Sequence, residues 1–515
     1  MTRGRASAAS DPSSTPRHSV LRVRRLGVDT QQEAVVFMRH DCHVCRAEGF
    51  AAHARIYVSH GNRWIIATLY QVVSEILQPG EVGLSESAWR RLALNEGDEI
   101  AVSHARPLES LSLVRGKVYG RRLGEQALQT IVSDITAGRY SDIHLSSFIT
   151  ACSARPLDRD ETIALTRAMV EVGDRLQWAH PRVVDKHCVG GLPGNRTTPI
   201  VVAIAVACGL IMPKTSSRAI TSPAGTADTM ETLAPVDLDI PTMRAVVERE
   251  GGCIVWGGAV RLSPADDILI RVERALDLDS EGQLVASVLS KKIAAGSTHV
   301  VLDLPVGPTA KVRSEETART LAQDLREVAA AFGLQARAIV TDGSQPIGRG
   351  IGPALEANDV LSVLQNQSLA PADLRQRALK LAGALLELGG VAGTGDGEST
   401  ALKTLDSGRA WAKFQRICEA QGGMRRPPIS SHRHAIVADA SGRVVAVDNR
   451  RLAKVAKLAG APDAKAAGIE VHVRLNDAIE AGQPLLTIHA ETPGELEYAL
   501  EYARANPDIY EVVEP

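Results

Sequence analysis

The chain is poor in aromatic residues: Phe, Tyr and Trp together make up 3% of its 515 positions. A site that grips bases by stacking them on several rings is disfavoured on that count. Charge of one sign is not in excess either, with 58 Lys and Arg against 60 Asp and Glu. A nucleic acid polymer, which usually selects a basic surplus, is therefore not an expected partner. Long hydrophobic runs are missing. The longest stretch, Ile200 to Met212, contains Gly209 and falls well short of the roughly 20 residues that cross a bilayer. Cysteines number seven and are scattered at 42, 45, 152, 188, 208, 253 and 418. An odd, dispersed set reads as reduced thiols in the cytoplasm rather than as a disulfide framework. The first twenty residues are small, polar and basic with no apolar core, so they read as a disordered tail and not as a secretory signal.

What remains is an ordinary globular composition, 44% hydrophobic and 23% charged. The length corresponds to about three domains. Residues 21–105 are rich in β-branched, partly alternating runs such as RIYVSH and RWIIATLY, and predict a β-rich module. Within it, SESAWRRLALNEGDEI predicts a short helix opened by Ser85 and closed by Gly97. Residues 106–182 carry apolar positions at helical spacing and predict a helical lobe, completed by 262–294. From Val183 onward short apolar strands alternate with glycine-rich loops and helices. This predicts an α/β lobe over 183–261, continued by 295–430. A final α+β domain is expected over 431–515. The fold class is thus α/β: a helical lobe and a large mixed-sheet α/β lobe, with a β-rich N-terminal module and a C-terminal α+β domain.

The densest chemical signal is Asp185-Lys186-His187-Cys188-Val189-Gly190-Gly191-Leu192-Pro193-Gly194-Asn195-Arg196-Thr197-Thr198-Pro199. It follows a short strand and opens an apolar helix. Glycines let the backbone approach an anion, and a helix start supplies unpaired N–H groups. Lys186 adds a charge, Thr197 or Thr198 can cap the helix, and Pro199 suits the first helical position. The loop reads as a phosphate cradle, although it lacks the Gly-Lys-Ser/Thr ending of a Walker A loop. A second loop, Lys214 to Asp228, is dense in hydroxyls around Arg218. Its plainer reading is a connection with local side-chain caps, but two such loops on adjacent strands favour a shared anion site. A third element runs from Asp279 to Lys292. Asp279 or Ser280 is a helix cap, and Ser287 and Lys291, four apart, share one face.

Two other motifs carry less. His40-Asp41-Cys42-His43-Val44-Cys45 holds a single CxxC, which is half a zinc site. Gly393-Thr394-Gly395-Asp396-Gly397 is read as a loop between helices.

The DKHCVGGLPGN loop, the stretch KTSSRAITSPAGTAD, the helix with Ser287 and Lys291, and STHVVLDLPVGPTAKV together resemble the thymidine/pyrimidine-nucleoside phosphorylases. They are most similar to the second branch, which holds bacterial "putative thymidine phosphorylases" and archaeal AMP phosphorylases. The resemblance covers roughly residues 21 to 515. It implies that inorganic phosphate attacks C1′ of a nucleoside and that the base leaves, with no cofactor or metal. It implies phosphate binding by Lys186, Gly191, Thr198, Ser216 and Thr226, and a histidine near the base at His187. Arg271, reached through a one-residue gap, joins Ser287 and Lys291 in base recognition. From the AMP-type branch it implies nucleotide contacts by Ser217, Arg218, Ala219, Ile220, Thr221, Ser222, Ser287 and Lys311, with Asp279 as proton donor. The sequence departs from the shorter enzymes at Cys188 (serine there) and at Ser222-Pro223-Ala224-Gly225-Thr226, which puts strict thymidine specificity in question. The implied partners are a nucleoside or nucleotide and phosphate, within a homodimer or larger homo-oligomer. A nucleoside 5′-monophosphate is the alternative substrate. A Mg-dependent phosphoribosyltransferase and a non-enzymatic nucleotide-sensing scaffold are the remaining readings.

Overall fold

A computed structural model describes residues 20–513, except 191, 193, 195, 220, 221, 277 and 279. The tail expected over residues 1–20 therefore lies, up to residue 19, outside the described residues. The chain forms two compact units, divided between Arg155 and Pro156.

The first unit begins with a closed six-stranded barrel. Its strands are β1 (Val20–Arg25), β2 (Val35–Arg39), β3 (Arg55–His60), β4 (Arg63–Val72), β5 (Glu81–Leu84) and β6 (Glu99–His104), ordered β1-β5-β2-β4-β3-β6. Alternate residues such as Leu21, Val23, Ile56, Val58, Ile100 and Val102 point inward and fill it. Closure pairs β1 with β6 and leaves no open sheet edge. Two short helices, α1 (His43–Glu48) and α2 (Glu86–Leu92), pack against this core. Cys42 and Cys45 are buried in the same core as free thiols. Helix α2 is capped by Ser85 as expected, but it ends at Ala93 and not at Gly97. Ala93 adopts the left-handed conformation and Leu94 buries beneath the helix, so the chain turns before the glycine is reached. Three helices, α3 (Ser110–Val118), α4 (Glu125–Thr136) and α5 (Asp142–Ala154), complete the unit.

The second unit contains α6 (Arg159–Glu171) and a parallel sheet. Strands β7 (Val184–Cys188), β10 (His299–Val306) and β11 (Gln335–Asp342) pair in parallel in the order β11-β10-β7. The pair β8 (Met212–Ser216) and β9 (Gly252–Trp256) is also parallel, and a bridge from Val183 to Ile211 joins it to β7. Parallel strands need crossovers that cover both faces. Here they are α7 (Thr197–Ala207), α8 (Thr226–Glu231), α9 (Ile240–Glu250), α10 (Pro264–Leu276), α11 (Glu281–Ala294) and α12 (Glu315–Ala330). Helix α7 is apolar all round and every residue from Thr197 to Val206 is buried. It is the apolar run that was too short for a membrane, used instead as the centre of a globular core. No helix among the described residues is long and apolar enough to cross a membrane. Helix α6 is started by a reciprocal Asp158–Glu161 capping box and packs on α11. Described residues from 432 onward contribute to two small sheets, one of them completed by the strand Gly350–Ile351, and carry the helices Asn449–Leu458 and Pro493–Ala505. Of the Gly393–Gly397 stretch, residues 393–396 lie between the helices Ala372–Leu388 and Gly397–Asp406, and Gly397 opens the second helix.

Candidate active site

In an open parallel sheet, ligands bind beyond the carboxyl ends of the strands. Here the ends of β7, β8 and β9 and the residues that follow β10 open on one cavity of about 340 Å³, walled on its other side by α10 and α11. Lys186 and His187 arrive from β7, Ser216 from β8, Trp256 from β9 and Lys311 from the segment after β10.

The Lys186 side chain is wholly buried. Its ammonium donates to Thr197 Oγ1 at 2.7 Å and to Thr198 Oγ1 at 3.3 Å. Those hydroxyls belong to the first turn of α7, whose N-terminus carries positive potential. Helix α7 thus starts earlier than predicted, and Pro199 is its third residue. The missing proline N–H costs nothing there, because the first four N–H groups of a helix have no partner inside it. Arg196 just before α7 is buried, pairs with Glu356 at 3.2 Å and Asp359 at 3.5 Å, and anchors the loop. Ser216 Oγ is buried on the cavity wall with no hydrogen-bond partner among the described residues.

Two lysines that sequence reasoning missed lie beside Lys186. Lys214 and Lys292 line the cavity and pair with the buried Asp185 at 3.2 and 2.8 Å. Burial works to raise the Asp185 pKa, but the two lysines outweigh it and hold it below the ordinary value. Lys214 is pushed down to about 7, chiefly by burial, with Asp185 opposing. His187 is held well below the ordinary histidine value by burial, then by Lys292, Lys214, Lys186 and Lys291. It is neutral at physiological pH, so its ring offers one donor and one acceptor. Burial, with Asp303 second, pushes the Cys188 thiol up, so it stays protonated.

The second loop folds back on α8. The Asp228 carboxylate accepts from Ala219 N at 2.7 Å and from Gly225 N at 3.0 Å. Gly225 has to be glycine, because a Cβ there would sit 2.5 Å from Ser217 O. Arg218 is spent on protein carboxylates: it makes two bonds of 2.8 Å to Glu231 and one of 3.1 Å to Asp228. Lys465 adds an ion pair of 2.9 Å to Glu231. The guanidinium lies 4.9 Å from the centre of the Trp256 ring. Trp256, a lone aromatic with no motif around it, packs its indole directly over Gly258, where a Cβ would meet the ring at 2.5 Å.

On the opposite wall, Gln283, Ser287 and Lys291 of α11 face the cavity at successive four-residue steps. The Lys291 ammonium pairs with Asp266 of α10. Its neighbour Asp267, also on the wall, is raised to about 6, mainly by burial, with Lys291 opposing.

Of the residues singled out from sequence, Lys186, His187, Thr198, Ser216, Ser217, Arg218, Ala219, Ser222, Thr226, Ser287, Lys291 and Lys311 come together around this cavity. Arg271 is half-buried on α10 and is not among the residues that line it. Gly191, Ile220, Thr221 and Asp279 lie outside the described residues. No cluster of metal-binding side chains occurs among the described residues.

Known proteins bear on this geometry. Residues 180–411 match the a/b domain of a glycosyl transferase family, and 111–173 match its helical bundle domain. Residues 443–510 match the C-terminal domain of pyrimidine nucleoside phosphorylases. The chain is 64% identical over 498 residues to a "Putative thymidine phosphorylase" of Chelativorans sp. (strain BNC1), covering 96% of this chain and 98% of that one. It is 64% identical over 494 residues to "Putative thymidine phosphorylase 2" of Acidovorax sp. (strain JS42), covering 96% of each. Among solved structures, anthranilate phosphoribosyltransferase from Thermus thermophilus superposes with a TM-score of 0.50 at 21% identity. That match covers 60% of this chain and 98% of the other, and it shows the fold alone.

Proposed function

The chain belongs to the thymidine/pyrimidine-nucleoside phosphorylase family of glycosyltransferases, and on that footing we propose that it cleaves the N-glycosidic bond of thymidine or a related pyrimidine nucleoside with inorganic phosphate. The products are the free base and a (deoxy)ribose 1-phosphate.

The observation that carries this reading is Lys186. A wholly buried ammonium that bonds to threonine hydroxyls costs several kcal/mol of desolvation unless an anion offsets it. Lys214 and Lys292 already have Asp185, and Lys291 has Asp266. The bonds of the Lys186 ammonium go instead to the hydroxyls of Thr197 and Thr198. Phosphate held against Lys186, Thr198, Ser216, Thr226 and the start of α7, with Gly191, would be placed for attack on C1′. Positioning and electrostatic stabilisation then supply the acceleration, with no protein nucleophile. Neutral His187 beside the base would stabilise its developing charge by a hydrogen bond. Ser287 and Lys291 would hold the base, and Asp279 would deliver a proton where the leaving group needs one.

The Arg218 cluster favours a nucleoside over a 5′-monophosphate. Arg218 and Lys465 are balanced by Asp228 and Glu231. A neutral loop gives no net attraction to a second phosphate on the sugar, although Lys311 stands on the cavity wall. From the odd, dispersed set of seven cysteines we propose a cytoplasmic location, and we expect a homodimer or larger homo-oligomer.

The test is base release from thymidine, uridine, AMP and CMP, with and without phosphate and with EDTA. Release from the nucleosides that requires phosphate and survives EDTA supports the reading. Release from the monophosphates alone refutes it. Lys186→Ala should cut kcat/KM by at least about a hundredfold, and near wild-type turnover in that variant would remove Lys186 from the phosphate site.

A further inference from the structure

On the cavity wall the buried side chains of Ser216 and Gln283 have polar atoms without a hydrogen-bond partner among the described residues, and Gln283 has two of them. It is 3% exposed, and neither its amide nitrogen nor its amide oxygen has a hydrogen-bond partner among the described residues. A buried polar atom left without a partner costs about 1–3 kcal/mol, and this residue carries two. Nothing local requires an amide. Helix α11 is started by Ser280, whose hydroxyl accepts from the Gln283 backbone N–H, so the cap does not use the side chain. A leucine or methionine would fill the same volume without the penalty. The side chain lines the cavity one turn before Ser287 and two turns before Lys291.

An amide offers one acceptor beside one donor. The edge of thymine or uracil that bears N3–H beside a carbonyl offers the matching donor and acceptor. Two hydrogen bonds close at once, as they do when glutamine reads adenine bidentately.

We propose that Gln283 is a specificity-determining residue that pairs with the N3–H and adjacent carbonyl edge of a pyrimidine base. The proposal rests on the nucleoside reading given above. Ser287 and Lys291, on the same face of α11, approach the same base from one side. Gln283 adds an acceptor for N3–H with a donor for the adjacent carbonyl fixed beside it in one planar amide, a pairing that neither a hydroxyl nor an ammonium offers. Discrimination follows from the penalty for a mismatch. A nucleoside methylated at N3 leaves the amide oxygen buried and unpaired.

Three proteins and three ligands test this: wild type, Gln283→Met and Gln283→Ala, with thymidine, 3-methylthymidine and free thymine. Gln283→Met keeps the volume and removes both polar atoms. Its Tm is expected to hold or rise, while kcat/KM for thymidine falls about a hundredfold. Gln283→Ala makes room for the methyl group, so the preference for thymidine over 3-methylthymidine should shrink at least about tenfold. Thymine binding, read by calorimetry, should be lost in Gln283→Met. A Gln283→Met protein with a clearly lower Tm would assign the amide a structural role and overturn the proposal. So would wild-type kcat/KM and thymine affinity, or unchanged discrimination in Gln283→Ala. A wild type that binds thymine but releases no base from any nucleoside would break the phosphorylase reading instead, and loss of that binding in Gln283→Met would still support the recognition role.

Discussion

At the scale of the residue, the cavity is governed by how each cation is balanced. Sequence shows Lys186, His187 and Lys291 through their motifs. It does not show Lys214 and Lys292 as partners of Asp185, because that pairing joins β7, β8 and α11 across separations no local pattern encodes. The cluster has a consequence for pH. With His187 held well below the ordinary histidine value of 6.5, the unfolded chain takes up a proton at that residue before the folded chain does. Stability from this residue is therefore complete above about pH 6.5 and declines as pH falls below it, by at most about 1.4 kcal/mol per pH unit. Urea unfolding between pH 5 and 8 should show this slope in wild type and a shallower one in His187→Gln. Identical slopes would mean that His187 is not the group responsible.

At the scale of the element, boundaries followed local chemistry where a cap was present. Asp158 and Glu161 close α6 at its start through two bonds of 3.0 Å. Asp158→Ala should cost about 1 kcal/mol of stability, read as a lower denaturation midpoint with an unchanged m-value. An unchanged midpoint would show that the box contributes nothing. Where packing intervened, the local signal was overruled. Leu94 draws the chain inward and ends α2 at Ala93, although Gly97 is the better C-cap by propensity. Thr197 enters α7 because its hydroxyl donates to Gly194 O at 2.7 Å while it accepts from Lys186. A side chain arriving from another strand thus set the helix start.

At the scale of the whole molecule, the two units have separate cores. The barrel is filled by residues between Leu21 and Val102, and the largest core of the second unit by residues between Val184 and Cys418. Units with cores of their own commonly unfold as separate cooperative transitions. Calorimetry should record more than one transition, with a van't Hoff enthalpy below the calorimetric one. A single two-state endotherm would contradict this.

The sequence by itself determined the family, the α/β class, and the loops that meet around the cavity. These are encoded in contiguous motifs and in apolar spacing, which short-range physics reads directly. Only the tertiary structure decided which charges remain open to a ligand. Arg218 looks available in its loop yet is held by Asp228 and Glu231, whereas Lys186, beside an aspartate in sequence, bonds to hydroxyls. Trp256 and Gln283 likewise gained their places only when the ends of the parallel strands and α11 met around one cavity. A side chain's hydrogen-bond balance depends on what folds against it, and in the linear chain those partners lie far away.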